Sequence, residues 1–373
     1  MEDVSVDGPH IPVYVYHNSY GSLMTNVSFG KEELDSMVYR LSQQAGKHIS
    51  LANPLLDASL PSGDRLQMTI GDEVTTRGST ITIRRFRRVP MNPIDLINYD
   101  TFSVEMMTYL WMAVENGSNI LVAGGTASGK TSVLNAIAMF IPQGSKIVSI
   151  EDTREINLTY DNWIPAVTRE VEEGGHSIDM FHLLKEALRQ RPEYILVGEV
   201  RGREAYTLFQ AMATGHITFS TIHADSVDTV VRRLTKPPID IPLMLLDSLD
   251  ILCIQKIVKL GKKRARRCIQ ISEVKAVDFE EEMLDTTDLF KWRRPDVFEF
   301  GGESEVFIDT MDKLGLEEGE ILDEFMSRRR VLEWLRANSG FVDVQRTLFE
   351  YNQDKEGLME RMEQDEARSR CLH

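Results

Sequence analysis

The chain has 373 residues, 42% hydrophobic and 27% charged, an ordinary composition for a folded protein of two or three domains. Its net charge of −16 argues against a general nucleic-acid binder, and Cys253, Cys268 and Cys371 stand too far apart for a disulfide framework or a zinc cage. The start "MEDVSVDGPH" is no signal peptide, and the most apolar window, "IDIPLMLLDSLDILCIQKIV", carries three aspartates that a bilayer would reject. The expectation is a soluble protein whose membrane contact, if it has one, is peripheral.

Residues 1–90 read as a small α/β domain. "IPVYVYH" alternates like a strand, and "KEELDSMVYRLSQQAG" places Leu34, Val38 and Leu41 on one helical face and stops at a glycine. "DRLQMTI" and "STITIRRF" read as strands joined by a polar connection. "VPMNPIDLINYD", with two prolines and little periodicity, reads as a linker over 91–100. From 101 to 276 short apolar strands alternate with helical patterns, the signature of a parallel-rich α/β sheet. Residues 277–373 read as an acidic, mainly helical region, in which "ILDEFMSRRRVLEWLRA" aligns Leu322, Phe325, Leu332 and Leu335 in one stripe. From Asp278 onward 26 acids face 13 bases, so this part holds −13 of the total charge.

"NILVAGGTASGKTSVLNAIAMF" is an apolar strand, a glycine-rich turn and a helix opening at Lys130. Gly124, Gly129, Lys130 and Thr131 fit GxxxxGK[ST] in the strand–loop–helix context that the pattern requires. Gly125, Thr126, Ala127, Ser128 and Ser132 complete the candidate phosphate cradle. Backbone N–H groups and the helix N-terminus would hold the phosphates of ATP. Lys130 can reach the β- and γ-phosphates, and the Thr131 hydroxyl can ligate Mg2+.

A cradle binds nucleotide, whereas hydrolysis also needs a group that orients or deprotonates water. "SKIVSIEDTREI" ends a strand on Glu151 and Asp152, "YILVGEVRG" ends one on Glu199, and "GHITFSTIHADS" runs from His216 to His223. Ligands of open parallel sheets bind at the strands' C-terminal ends, so these groups can converge on the same phosphates. Taken singly, each has a plainer role: a turn cap for Glu151 or Asp152, a surface pair with Arg201 or Arg203 for Glu199, a core histidine for His223 or His216.

The four segments "GGTASGKT", "SIEDTREI", "ILVGEVRG" and "TGHITFSTIHADS" resemble the Walker A, Asp-box, Walker B and His-box motifs of the type II/type IV secretion ATPase superfamily. That superfamily contains the motors of type IV pili, type II secretion systems and the archaellum. "EDVSVDGPHIPVYVYH", "STITIRRF" and "FKWRRPDVFEF" look like its archaeal branch. The resemblance implies a RecA-like P-loop domain and a homo-hexamer at the cytoplasmic face of the membrane. ATP hydrolysis would then turn each N-terminal domain against the next ATPase domain, and a polytopic platform protein would receive the motion. It further implies Glu151 as the catalytic base, Glu199 as support for magnesium or its water shell, and His223 as a γ-phosphate sensor; which glutamate does which job stays open. Arginines on the N-terminal strands of the superfamily reach the nucleotide, and Arg84 and Arg65 match best, with Arg77 weaker. Two departures from bacterial type II motors stand out: the four-cysteine zinc module often found there is absent, and the docking domain often found before the nucleotide-domain partner is expected to be missing, shortened or carried elsewhere. The cluster "GKKRARR" reads as a solvated hairpin turn, with an anionic lipid surface as a second candidate contact. A nucleotide-gated scaffold with little turnover and a RecA-like nucleic-acid motor are the competing readings.

Overall fold

The computed structural model describes residues 2–17, 20–86, 89–169, 177–261, 263–281, 283–338 and 343–371, with residues 369–371 described by backbone alone. It divides into two compact units, residues 1–88 with 153–155 and residues 89–152 with 156–373.

The first unit contains β1 (Asp3–Val6), β2 (Tyr14–His17), β3 (Gly21–Met24), α1 (Lys31–Gln44), β4 (Leu55–Ser59), β5 (Arg65–Thr69) and β6 (Thr80–Arg84). Its antiparallel sheet runs β3-β2-β1-β6-β5-β4. Alternation decides which face is covered: Leu66 and Met68 of β5 are buried and Gln67 between them is exposed. Leu34 and Val38 of α1 join Leu66, Met68 and Ile81 in one core.

The second unit starts with α2 (Pro93–Asn98) and α3 (Val104–Glu115), followed by β7 (Ile120–Gly124), α4 (Lys130–Ala138), β8 (Ile147–Glu151), β9 (Trp163–Val167) and α5 (Met180–Arg189). Next come β10 (Tyr194–Val197), α6 (Glu204–Ala213), β11 (Ile217–Ile222), α7 (Val227–Thr235), β12 (Ile251–Leu260), β13 (Lys263–Asp278), β14 (Met283–Arg293) and β15 (Val297–Phe300). Four helices close the chain: α8 (Glu305–Leu314), α9 (Glu318–Ala337), α10 (Val344–Gln353) and α11 (Lys355–Cys371). The sheet order is β15-β14-β13-β12-β7-β11-β10-β8-β9, parallel from β12 to β9 and antiparallel from β12 to β15. The central strands are apolar throughout because both faces are covered: every residue of β7, β8 and β10 is buried. Ile120 and Val122 pack with α3, α4 and the C-terminal helices, whereas Leu121 and Ala123 pack with α5 to α7.

Three expectations need correction. The stretch 91–100 is no bare linker, because Pro93 stands in the first turn of α2, Asn92 caps that helix, and Ile94, Leu96 and Ile97 are buried. The sheet does not end near Ala276 but runs through β14 and β15 to Phe300, and the helices start only at Glu305. Leu322 is 60% exposed; the buried stripe of α9 passes instead through Ile321, Arg328, Leu332 and Leu335.

Two buried charged side chains hold the helices in place, Glu273 against the sheet and Arg328 against a neighbouring helix. Glu273 of β13, 1% exposed, accepts hydrogen bonds from the Tyr109 hydroxyl, the Ser304 hydroxyl and the Glu305 backbone N–H, each at 2.6 Å. Arg328 bonds Glu115 at 2.5 Å and Glu324 at 2.8 Å, with its guanidinium 4.9 Å from the Trp111 ring centroid.

Candidate nucleotide site

β7 delivers the chain to the glycine loop at Gly124, where no side chain fits. A Cβ there would lie 2.4 Å from Ser128 Oγ and 2.8 Å from the Gln255 carbonyl oxygen. Ala127 (φ +59°) and Gly129 (φ +97°) take left-handed backbone conformations, which turn the loop into the N-terminus of α4. Gly125, Thr126 and Ala127 are exposed, Ser128 is buried, and Thr131 and Ser132 are half-buried in the first turn of the helix. Lys130 lies back over the loop: its Nζ donates to the carbonyls of Gly124 at 3.1 Å and Gly125 at 3.4 Å and stands 3.4 Å from His223 Nε2.

The ends of three neighbouring parallel strands supply the other groups. Glu151, the last residue of β8, is 3% exposed, and its Oε1 accepts the Ile156 N–H at 2.8 Å. On β10 the next residue after the strand is Gly198, whose missing Cβ is the space against which Glu151 packs: a methyl there would lie 3.0 Å from Glu151 Cγ and 3.5 Å from Oε1. Glu199 follows, with Oε1 3.1 Å from His223 Nε2 and Oε2 paired with Arg201. Arg201 also faces Asp152 at 3.8 Å, so the surface pairing expected of Glu199 and its place beside His223 coexist. Arg203 pairs instead with Asp179. His223 closes β11. Burial, followed by the Lys130 ammonium, holds its imidazole below its ordinary pKa, although Glu199 pulls the other way. His216, just before the start of the strand, stands 3.5 Å from the Thr214 hydroxyl through Nδ1.

The sites proposed on the first unit are placed within that unit. Arg65 and Arg84 face each other across β5 and β6 in direct register. Each has an acid partner, Asp57 at 2.7 Å and Asp3 at 3.4 Å respectively. Arg77 is exposed, and Arg87 and Arg88 lie outside the described residues.

The "GKKRARR" hairpin does join β12 to β13, and two of its arginines make defined contacts, Arg266 while exposed and Arg267 while buried. Arg266 Nε donates to the Ala127 carbonyl of the glycine loop at 2.9 Å. Arg267 is 4% exposed, holds Asp296 through two bonds of 2.8 and 2.7 Å, and donates to the Tyr99 carbonyl at 2.9 Å. The sequence reading missed these contacts, together with Gln255, which is fully buried beside Gly124. The one available signal was the position of Gln255 at the edge of an apolar strand.

The loop fits a nucleotide's phosphates. It has no Cβ at Gly124, exposed backbone from 125 to 127, an ammonium at its mouth, and a buried Ser128 hydroxyl with no hydrogen-bond partner among the described residues. Thr131 and Glu199 offer hard oxygen donors for magnesium. No group of three His, Cys, Asp or Glu side chains that could hold a metal occurs among the described residues, so an ion here would share its shell with phosphate oxygens and water.

A glycine loop opening a helix at the C-terminal edge of a parallel sheet, with acids and an imidazole on adjacent strand ends, defines a P-loop nucleotide-binding protein. Residues 16–300 match the family described as type II/IV secretion system protein, and the chain belongs to that family. An uncharacterized protein of Methanocaldococcus jannaschii is 38% identical over 360 residues, covering 95% of this chain and 64% of that protein. The type IV secretion system protein PtlH of Bordetella pertussis is 33% identical over 228 residues, 55% of this chain and 67% of that protein. Among solved structures, the Legionella pneumophila ATPase DotB aligns with a TM-score of 0.52 at 16% identity, over 94% of this chain and 88% of that one. The pilus retraction motor PilT with bound ADP aligns with a TM-score of 0.53 at 17% identity, over 92% and 91%. At these identities the likeness is one of fold.

Proposed function

We propose that the chain is an ATP-hydrolysing motor that drives filament assembly or protein export. The observation that carries the reading is the chain of contacts at the sheet's C-terminal edge. Lys130 of the loop stands 3.4 Å from His223, His223 stands 3.1 Å from Glu199, and Gly198 makes room for the buried Glu151. In this reading the loop and Lys130 bind the β- and γ-phosphates, and Thr131 and Glu199 hold magnesium. Magnesium held by these residues would supply positive charge against the charge that develops on the phosphates. Glu151 orients the attacking water and takes its proton, with its carboxylate held in place by the Ile156 N–H. His223, kept neutral by burial and Lys130, responds to the presence of the γ-phosphate and passes the change to Glu199.

The finer proposals rest on the family. The protein would act as a hexamer in which Arg84 and Arg65 approach a nucleotide, with residues 1–90 moving against the ATPase core. A polytopic membrane platform at the cytoplasmic face would receive the motion. No helix among the described residues is long and apolar enough to cross a membrane. Names of relatives such as PtlH and PilT support a secretion or pilus-type machine.

The test is Glu151→Gln. It should leave ATP binding within about threefold of wild type and cut phosphate release about 10²- to 10⁴-fold, the usual range for a lost general base. A variant that turns over at the wild-type rate removes Glu151 from the mechanism. A wild-type protein that binds ATP yet releases no phosphate, with or without phospholipid, is a scaffold.

A further inference from the structure

Of the polar groups around the glycine loop that belong to none of the motifs, Gln255 is the buried one without partners among the described residues. Gln255 lies on β12 in parallel register with Gly124, the first residue of the loop. Its side chain is fully buried, yet neither its amide oxygen nor its amide nitrogen has a hydrogen-bond partner among the described residues. A buried primary amide without partners is costly, and such groups are rare outside sites where another state supplies the partner.

Three further observations place this amide at the loop. Cys253, two residues back on β12, packs in the same core as Val133, Leu134 and Ile137 of α4, so Gln255 faces the side of the sheet that carries the loop's helix. Its Cβ would lie 3.0 Å from a Cβ at Gly124, and Ser128 Oγ, equally buried and equally without a partner, would lie 2.4 Å from that same point. Against β7 the register of β12 runs unbroken from Ile251 opposite Ile120 to Gln255 opposite Gly124, so the alternation that puts Gln255 on this face holds up to the loop. Farther along the ribbon, Arg266 grips the loop from outside through the Ala127 carbonyl.

We propose that Gln255 is a positioning residue of the nucleotide site: its amide is left without partners in the nucleotide-free protein and is satisfied when a phosphate seats the loop, through the Ser128 hydroxyl or a phosphate-bound water. The nucleotide is then read by β12 as well as by the motif-bearing strands, and Arg266 fastens the same ribbon to the loop. This inference rests on the reading of the loop as a nucleotide site.

The experiment pairs thermal unfolding of the nucleotide-free protein with calorimetric titration of Mg-ADP, in wild type and in Gln255→Met and Gln255→Leu. Met and Leu fill the amide's volume without its polar atoms. The nucleotide-free variants should melt at or above the wild-type temperature, because a buried group without partners has been removed. Mg-ADP should bind about 3- to 10-fold more weakly, the effect of one neutral hydrogen bond. A purely structural amide gives the opposite pattern, a lower melting temperature with unchanged ADP affinity, and overturns the proposal. Failure of both variants to fold also overturns it, because the amide must then have partners in the free protein. If wild type binds no Mg-ADP, the nucleotide reading itself fails; if wild type binds and both variants bind equally well, only the role of Gln255 falls.

Discussion

Gly198→Ala tests whether the buried base is held as tightly as its surroundings imply. The new methyl would stand 3.0 Å from Glu151 Cγ, 3.5 Å from its Cβ and 3.5 Å from Oε1. Carbon atoms prefer about 3.5–4.0 Å, so at least one contact falls short by roughly half an ångström or more. No left-handed backbone strain adds to this, because φ at Gly198 is not positive. Glu151 cannot simply step aside: it is 3% exposed and its Oε1 is fixed by the Ile156 N–H at 2.8 Å. If Glu151 holds, overpacking costs about 1–3 kcal/mol; if it swings away, loss of a hydrogen bond to a charged group costs about 1.5–3 kcal/mol. Either route should lower the urea midpoint. A displacement approaching 1 Å at a base cuts turnover by up to about 10², so kcat should drop about 10- to 100-fold while ADP affinity stays within about threefold. Steady-state phosphate release and urea unfolding read the two effects. Turnover within twofold of wild type at an unchanged midpoint would show that Glu151 has room to move, and the steric argument for a glycine before Glu199 would be wrong.

Two further predictions concern the framework. Arg267→Ala should destabilise the protein by about 3 kcal/mol in urea, because it breaks a bidentate pair whose guanidinium is 4% exposed. Arg267→Lys should recover less than half of the loss, since an ammonium cannot bond both Asp296 oxygens in a fork; full recovery would reduce the site to simple charge pairing. Burial would raise the Glu324 pKa, but the Lys355 ammonium and Arg328 guanidinium outweigh it and hold the carboxyl below its ordinary value. A carboxyl depressed in the folded state adds stability above its unfolded pKa of about 4.3, and that stability is lost as pH falls through the folded value. The urea midpoint of wild type should therefore fall more steeply below about pH 4.3 than that of Glu324→Gln; identical slopes would remove Glu324 from the acid response.

The glycine loop was legible because its function is written in local backbone requirements, with φ +97° at Gly129 as one of them. The strand endings Glu151, Glu199 and His223 could be found because apolar runs announce buried parallel strands. The contacts of Arg266 and Arg267 could not. Both stand in a basic run that looks solvated, and their partners, Ala127 and Asp296, lie 139 and 29 residues away in the chain. Helix α2 was misread as a linker because Pro93 looks like a breaker, although at a helix start it costs no hydrogen bond. The strands β14 and β15 were hidden for a different reason: they lie at one end of the sheet, with β15 its edge, where many side chains are exposed and the apolar run disappears.

The burial of Glu273 bears on how the molecule comes apart. Two of its three hydrogen-bond donors, the Ser304 hydroxyl and the Glu305 N–H, sit at the start of α8, so a chain cut after the sheet would strand an anion in the interior. The acidic tail is thus no detachable appendage to the ATPase fold. Sheet and tail should melt together in one cooperative step.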